Sequence, residues 1–76
     1  MIKDDFKYQI GDLLQYVIHN NDICYIIKRT FHNHNHFHEN TKFYTIKSAI
    51  SNKMFEVGED YISAGIDLKT ILYFKQ

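Results

Sequence analysis

The sequence predicts an all-β domain, a small five-stranded barrel with a long histidine-rich hairpin tip. Of its 76 residues 16% are aromatic, every one of them Tyr or Phe, and these residues favour strands. Apolar residues recur at alternate positions in several short segments, as they do in strands with a buried face. Gly, Asn and Asp separate the segments, and five short strands with tight connections are typical of a small barrel.

The first strand is predicted over residues 13–19. Ile10-Gly11-Asp12 reads as the turn that precedes it, and Asn20-Asn21-Asp22 follows it. Asn and Asp tolerate a positive φ, so the second triplet suits the tight turn of a hairpin. The sequence therefore predicts that the first two strands are antiparallel neighbours.

The second strand, residues 23–31, is predicted to lie at the centre of the sheet because it is apolar on both faces. Ile26 shares one of those faces with Cys24, and the third strand, residues 42–48, carries Ile46. We expect Ile26 and Ile46 to be fully buried in paired strands. We also expect Cys24 to fill the core rather than to act as a nucleophile near His19.

The last third of the chain is predicted to hold two more strands, over residues 54–57 and 68–74. Between them, residues 58–62 suit a short helical turn and residues 63–67 a loop. The alternative is a helix within residues 57–72, because strand and helix patterns overlap in short apolar segments.

Residues 10–76 are predicted to form a single domain, and residues 1–9 a tail or a short helix. A chain of this length holds one small core, and its single cysteine excludes an internal disulfide. No apolar run approaches the roughly 18 residues of a membrane helix. The first 12 residues also lack the apolar segment of a signal peptide. We therefore expect neither a membrane partner nor secretion by a signal peptide.

Four motifs follow one another along the chain. They are Phe6-x-x-x-Ile10-Gly-Asp-Leu-Leu-x-Tyr16, Ile23-x-Tyr-Ile-Ile27, Phe43-Tyr-Thr-Ile46 and Glu59-Asp-Tyr-Ile62. Their order resembles that of small SH3-like barrel proteins encoded by tailed bacteriophages, across residues 6–62. The resemblance implies an SH3-like barrel over residues 10–76, a bacteriophage source, and a location in the host cytoplasm or the virion.

Nucleic-acid binding is the first alternative function. The formal net charge is zero, so no global field attracts a polyanion. Barrels of the KOW type carry a glycine in the second strand, at the equivalent of residues 22–25, and this chain has none there. We therefore expect the basic residues of the central hairpin to form an ordinary solvated surface, with its aromatics in the core rather than stacking on bases. These residues are Lys28, Arg29, Lys42 and Lys47, with Tyr25 and Phe43 as the aromatics.

The histidine run is the second alternative, as a zinc site. Side chains two apart on an extended segment project to the same face, about 6.5–7 Å apart, and imidazoles at that spacing can chelate Zn, Ni or Cu. Structural zinc ligands usually sit on rigid elements, so we expect a solvated loop and no cofactor. The candidate ligands are His32, His34, His36 and His38.

No catalytic motif is present in the sequence. Asp4-Asp5 and Glu59-Asp60 are adjacent carboxylates, but catalytic pairs need a cleft in which they converge. We expect both pairs to be surface charges, or Glu59-Asp60 to form a turn or helix cap. The chain is therefore predicted not to be an enzyme.

The sequence predicts a non-enzymatic protein–protein interaction module, either a small virion component or a factor that binds a host protein. The long tip is where such a surface is expected, and aromatic side chains favour partner contacts. A nucleic-acid-binding module and a metal-linked oligomer remain the alternatives. The residues expected to contact the partner are His36, Phe37, His38, Lys28 and Arg29.

Overall fold

A computed structural model describes residues 6–34 and 39–76, with the backbone alone at 32–34 and 39–41. The chain forms one sheet of five antiparallel strands and one short helix, which confirms the prediction of a mostly β domain. The strands are β1 (Leu13–Tyr16), β2 (Asp22–His34), β3 (Glu39–Ser48), β4 (Met54–Gly58) and β5 (Ile71–Phe74), and helix α1 (Glu59–Asp67) lies between β4 and β5.

The strands follow the order β4-β3-β2-β1-β5 across the sheet. β2 is therefore the central strand, as its two apolar faces predicted. β1 pairs with β2 on one side and with β5 on the other. Within residues 6–34 and 39–76 no pairing joins β4 to β5, so the described sheet is open.

β1 is shorter than predicted and ends at Tyr16. Residues 17–21 form turns instead, with Asn20 and Asn21 at φ 58° and 56°. Asn is among the few residues that adopt this left-handed region readily. Two consecutive left-handed residues reverse the chain before β2, so the apolar pattern up to His19 does not continue as strand.

A β-bulge in β2 changes which residues face the core. Ile26 pairs with Ile46, but after the irregularity Lys28 pairs with Thr45 and Arg29 with Tyr44. Paired residues of an antiparallel ladder share a face, and an extra residue shifts the alternation by one. Arg29 therefore shares the inner face with Ile26, whereas Lys28 lies on the outer face.

The core lies between the inner face of the sheet, helix α1 and the segment that precedes β1. Ile26 and Ile46 are buried in paired central strands, and Cys24 is buried beside them. These three predictions are confirmed. The buried hydrophobic residues are Tyr8, Leu14, Cys24, Ile26, Tyr44, Ile46, Ile62 and Ile71.

Helix α1 replaces the predicted loop over residues 63–67, and that prediction is wrong. Ile62 and Ile66, four residues apart, lie on one side of a helix and both join the core. The helix passes close to β5, because a Cβ at Gly65 would lie 2.4 Å from Ile71 Cδ1. Lys69, at φ 67°, ends the helical segment in the left-handed conformation. The fifth strand consequently begins at Ile71 rather than at residue 68.

The segment before β1 packs onto the inner face through aromatic rings. Tyr8 is buried, and its ring centroid lies 5.0 Å from that of Tyr73 and 5.6 Å from that of Tyr44. Phe6 packs edge-on against Tyr44. Residues 6–9 thus form part of the packed domain, whereas residues 1–5 lie outside the described residues.

Two buried carboxylates accept hydrogen bonds from residues near the start and the end of the described chain. Asp12 accepts hydrogen bonds from the Gln9 amide (2.9 Å), the Gln76 amide (3.0 Å) and the Tyr73 hydroxyl (2.5 Å). Glu59 accepts from the Lys7 amide and the Tyr44 hydroxyl. Glu59 is the first residue of helix α1 and is buried rather than on the surface; the N-cap is Gly58, and no side chain caps the helix.

Helix α1 has nine residues. No helix in the described part of the chain is both long and apolar enough to cross a membrane.

Candidate binding cleft

A cleft of about 400 Å³ opens on the inner face of the sheet, beside helix α1. It lies where side chains of four strands, the β1–β2 turn and the helix converge. Its volume falls within the range of small ligand sites, which is roughly 300–1,000 Å³. The lining residues are Tyr16, His19, Asp22, Cys24, Ile46, Phe55, Glu56, Val57 and Tyr61; we call this the aromatic cleft.

The walls of the aromatic cleft are aromatic and come from distant parts of the chain. Tyr16 belongs to β1, Phe55 to β4 and Tyr61 to helix α1. Phe55 pairs with Ile46 in the ladder and so lies on the inner face. Phe55 and Tyr61 are nevertheless 49% and 53% exposed, so both rings offer apolar surface to a ligand.

The Tyr16 hydroxyl is the unsatisfied group of this site. Its oxygen is buried and has no hydrogen-bond partner among the described residues. Burial raises the pKa of Tyr16 well above its ordinary value of 10, and Tyr61, Cys24 and Asp22 add to the rise. A buried polar group without a partner is costly, so a ligand that pairs with this hydroxyl gains an interaction the free chain lacks.

Asp22 supplies a fixed carboxylate on the strand beside Tyr16. Asp22 is the partner of Tyr16 in the β1–β2 ladder, and side chains of directly paired residues lie side by side on one face. The Ser48 hydroxyl donates to both Asp22 oxygens, at 2.9 and 3.0 Å. The same Ser48 oxygen accepts from the Ile50 and Ser51 amides, so the turn after β3 holds the Asp22 carboxylate in place.

Cys24 forms part of the floor of the cleft. Burial, followed by the nearby Asp22 carboxylate, raises the pKa of its thiol to about 11. The thiol is therefore protonated at neutral pH, and the thiolate is the nucleophilic form. The position agrees with the prediction that Cys24 fills the core. His19 lies next to Tyr16, and their ring centroids are 6.2 Å apart.

The basic residues of the central hairpin do not share one face. Lys28 pairs with Thr45 and Lys47 with Tyr25, on the outer face. Arg29 lies on the inner face, where its guanidinium stacks over the Phe6 ring at 4.9 Å and donates to Gln9. Lys42, two residues from the buried Tyr44, projects from that inner face as well. The cations thus lie on two surfaces, and the bulge in β2 decides that Arg29 rather than Lys28 is on the inner one.

The predicted histidine tip is described only at its base. The backbone of His32 pairs with Thr41, and that of His34 with Glu39. His36, Phe37 and His38 lie outside the described residues, so their predicted partner and metal contacts stay predictions. Among the residues whose side chains the structure describes, 6–31 and 42–76, no group of three or more His, Cys, Asp or Glu is placed to hold a metal ion.

A second apolar surface lies on the outer face of the sheet. Ile23, Leu72 and Phe74 are all more than one third exposed there. The ladder places Gln15 between Ile23 and Leu72, and in the described chain this face presents no buried polar atom that lacks a partner. The aromatic cleft is therefore the stronger candidate for a specific site.

Sequence reasoning did not assign the residues of this cleft to a binding site. Tyr16 and Phe55 read as ordinary strand residues, and Tyr61 as part of a turn. The one available signal was Asp22, a charged residue on the face that also carries Cys24 and Ile26. No family model matches the chain, and comparisons with curated proteins and with solved structures find no match either.

Proposed function

We propose that the chain is a non-enzymatic module that binds another protein, and that the aromatic cleft receives a side chain of this partner. The observation that carries the proposal is the half-exposed pair Phe55 and Tyr61 around the unpaired Tyr16 hydroxyl. Aromatic residues in a pocket are the usual anchors of protein interfaces. A volume of about 400 Å³ accommodates one or two side chains of an extended segment.

The chemistry of the lining supports binding rather than catalysis. Burial raises the pKa of both Tyr16 and Cys24, so neither is an activated nucleophile at neutral pH. Asp22 is held by Ser48, and fixed hydrogen-bonding groups of this kind orient a ligand. The proposal therefore assigns recognition, not bond making, to these residues.

The finer architecture belongs to the same proposal. The described sheet is open, but its five antiparallel strands and the Gly11-Asp12 turn before β1 are the features that support an SH3-like barrel, which the resemblance across residues 6–62 implies. That resemblance is also the basis for proposing a bacteriophage source, with the module acting as a small virion component or binding a host protein. Because a function inferred from fold is an analogy, the proposed protein binding rests on the residues of the aromatic cleft.

The test is affinity capture with matched variants of the chain. Phe55→Ser combined with Tyr61→Ser removes both exposed cleft aromatics. Ile50→Ser combined with Leu68→Ser removes two apolar side chains that are outside the cleft and at least as exposed. The partner retained by the wild-type chain is expected to be lost with the first pair and kept with the second.

Two results would contradict the proposal. The first is capture of the partner by the cleft variant as efficiently as by the wild-type chain. Loss of the partner only when Leu72 and Phe74 on the outer face are changed to Ser has the same meaning. The second is micromolar binding of DNA or RNA at physiological salt that Lys28→Glu combined with Arg29→Glu abolishes, which would favour a nucleic-acid-binding module.

A further inference from the structure

The lining of the aromatic cleft is acidic. It contains Asp22 and Glu56 but no Lys or Arg among the described residues. Glu56 pairs with Thr45 on the outer face, so Asp22 is the carboxylate that the inner face presents. The Ser48 hydroxyl that donates to it is neutral. The site therefore offers a carboxylate in a lining without Lys or Arg, where His19 is the basic side chain.

Tyr16 is the cross-strand neighbour of that charged residue. Tyr16 and Asp22 are directly paired in the ladder, and the Tyr16 hydroxyl is buried without a partner in the described chain. A phenol oxygen accepts a hydrogen bond as well as donating one. A ligand N–H group in the cleft therefore has two kinds of acceptor in the lining, a carboxylate and a phenol oxygen.

The walls suit the remainder of a basic side chain. The rings of Phe55 and Tyr61 are half exposed at the cleft, and aromatic faces attract cations. Lys and Arg also carry long methylene stems that pack along apolar surface while the charged group reaches a polar one. Val57 adds aliphatic surface to the same wall.

We propose that the aromatic cleft is selective for a basic side chain, the ammonium of Lys or the guanidinium of Arg, presented by a partner protein. The cation lies against Asp22 and donates to the Tyr16 oxygen, and its stem packs between Phe55 and Tyr61. This inference rests on the proposed function and specifies the chemistry of the same site.

Other ligand classes fit these groups less well. An anionic group placed beside Tyr16 is repelled by Asp22. A purely apolar side chain covers the walls but leaves the Tyr16 hydroxyl without a partner. The cost of burying that hydroxyl unpaired then remains. A basic side chain is the class that satisfies the charge, the hydroxyl and the aromatic walls together.

The test uses small probes on the full chain. n-Butylammonium and n-propylguanidinium mimic the two side-chain ends, n-pentanol is the neutral comparator, and pentanoate is the anionic one. Titration is followed by amide ¹H–¹⁵N chemical shifts, at low and at high salt. The two cations are expected to shift the amides of Asp22, Cys24 and Ile46, with affinities at least about fivefold above those of the comparators. High salt is expected to reduce this difference.

Three variants separate the contributions of charge and hydroxyl. Asp22→Asn removes the charge and keeps an acceptor for Ser48, and it is expected to weaken cation binding about fivefold. Tyr16→Phe keeps the ring and removes the oxygen, and it is expected to weaken binding of the cations but not of pentanol. Asp67→Asn is the matched control, because Asp67 is exposed and outside the cleft lining, and it is expected to leave every affinity unchanged.

The outcomes distinguish this inference from the proposed function. Equal binding of pentanol and butylammonium, or an unchanged cation affinity in Asp22→Asn, would overturn the cation selectivity, while cleft-dependent partner capture would still support a protein-binding module. If capture also survives Phe55→Ser with Tyr61→Ser, both proposals fail. Cation-selective binding that depends on Asp22 and Tyr16 supports the inference directly.

Discussion

At the residue scale, Asp12 and Tyr16 are buried polar groups that differ in their hydrogen bonding. Asp12 accepts three hydrogen bonds, from Gln9, Gln76 and Tyr73. The Tyr16 hydroxyl has none among the described residues. Buried polar groups are nearly always paired, so the first arrangement is expected of a structural group, and the second agrees with the ligand contact proposed for Tyr16.

Tyr16→Phe is therefore expected to leave the free energy of unfolding unchanged or to raise it by about 1 kcal/mol, because it removes an unpaired buried hydroxyl. Tyr73→Phe is the matched control, since the same change removes a donor to Asp12 and is expected to cost about 1–2 kcal/mol. Urea denaturation of both variants measures the difference. A loss of stability in Tyr16→Phe equal to that in Tyr73→Phe would show that the Tyr16 hydroxyl has a partner.

Asp12 is expected to make stability depend on pH in the acid range. Burial by itself would raise its pKa, but hydrogen bonds from Gln76, Tyr73 and Gln9 outweigh burial and hold the pKa below 3.8. A carboxyl whose pKa is lower in the folded state contributes stability above its unfolded pKa, and this contribution is lost as pH falls through the folded pKa.

Urea midpoints measured between about pH 6 and pH 2 test this contribution. Asp12→Asn is expected to be less stable at pH 6 and to lose less stability than wild type below about pH 4. Asp67→Asn, at an exposed site, is expected to follow the wild-type curve. Identical pH slopes for Asp12→Asn and wild type would refute the role of this carboxyl.

At the scale of the elements, the close approach of helix α1 to β5 depends on Gly65. Gly in a helix interior is normally unfavourable, by about 1 kcal/mol relative to Ala. Here a Cβ would meet the Ile71 side chain at 2.4 Å, so the missing side chain is what lets Ile62 and Ile66 reach the core. At position 65 Gly is therefore expected to give the more stable chain, although Ala is the better helix former elsewhere.

Gly65→Ala is expected to destabilise the chain by about 1–3 kcal/mol, because overpacking forces the helix or Ile71 to shift. In the Ile71→Ala background the clashing Cδ1 and Cγ1 atoms are absent and only the Ile71 Cβ remains close, at 3.2 Å, so the same change is expected to cost clearly less stability. A double-mutant cycle measured by thermal or urea unfolding gives the coupling energy. Additive effects would show that the two side chains do not compete for this space.

At the scale of the whole molecule, the core is small and centred on one strand pair. Eight hydrophobic residues are buried within the described chain, and Ile26 and Ile46 face each other in the central ladder. Small domains have little stability to spare, so the loss of either side chain threatens the whole fold rather than one element.

Ile26→Ala and Ile46→Ala are each expected to cost about 2–5 kcal/mol, and either variant unfolds if the wild-type stability is of that size. Ile50→Ala is the control, because Ile50 is 75% exposed. Differential scanning calorimetry compares the three variants with wild type. Melting of both core variants within a few degrees of wild type would contradict the assignment of the inner face.

The central strands and their buried face could be predicted from the sequence. β2 is apolar on both faces, which predicts a central strand, and with the apolar residues of β3 this is enough to predict that Cys24, Ile26 and Ile46 lie in the core. The pattern succeeded because each of these strands buries one face against the helix and the segment before β1. It did not predict the bulge, because one extra residue before Lys28 exchanges the faces of Lys28 and Arg29 without changing the composition of the segment.

Helix α1 and the aromatic cleft were decided by tertiary structure. Residues 63–67 include Gly65 and have little intrinsic preference for a helix, but packing of Ile62 and Ile66 against the sheet stabilises one. Tyr16, Phe55 and Tyr61 come together only because β1, β4 and α1 meet at one end of the inner face. The sequence by itself determined which residues prefer burial in strands; which aromatic rings surround a shared space depends on contacts between residues far apart in the chain, which no local pattern records.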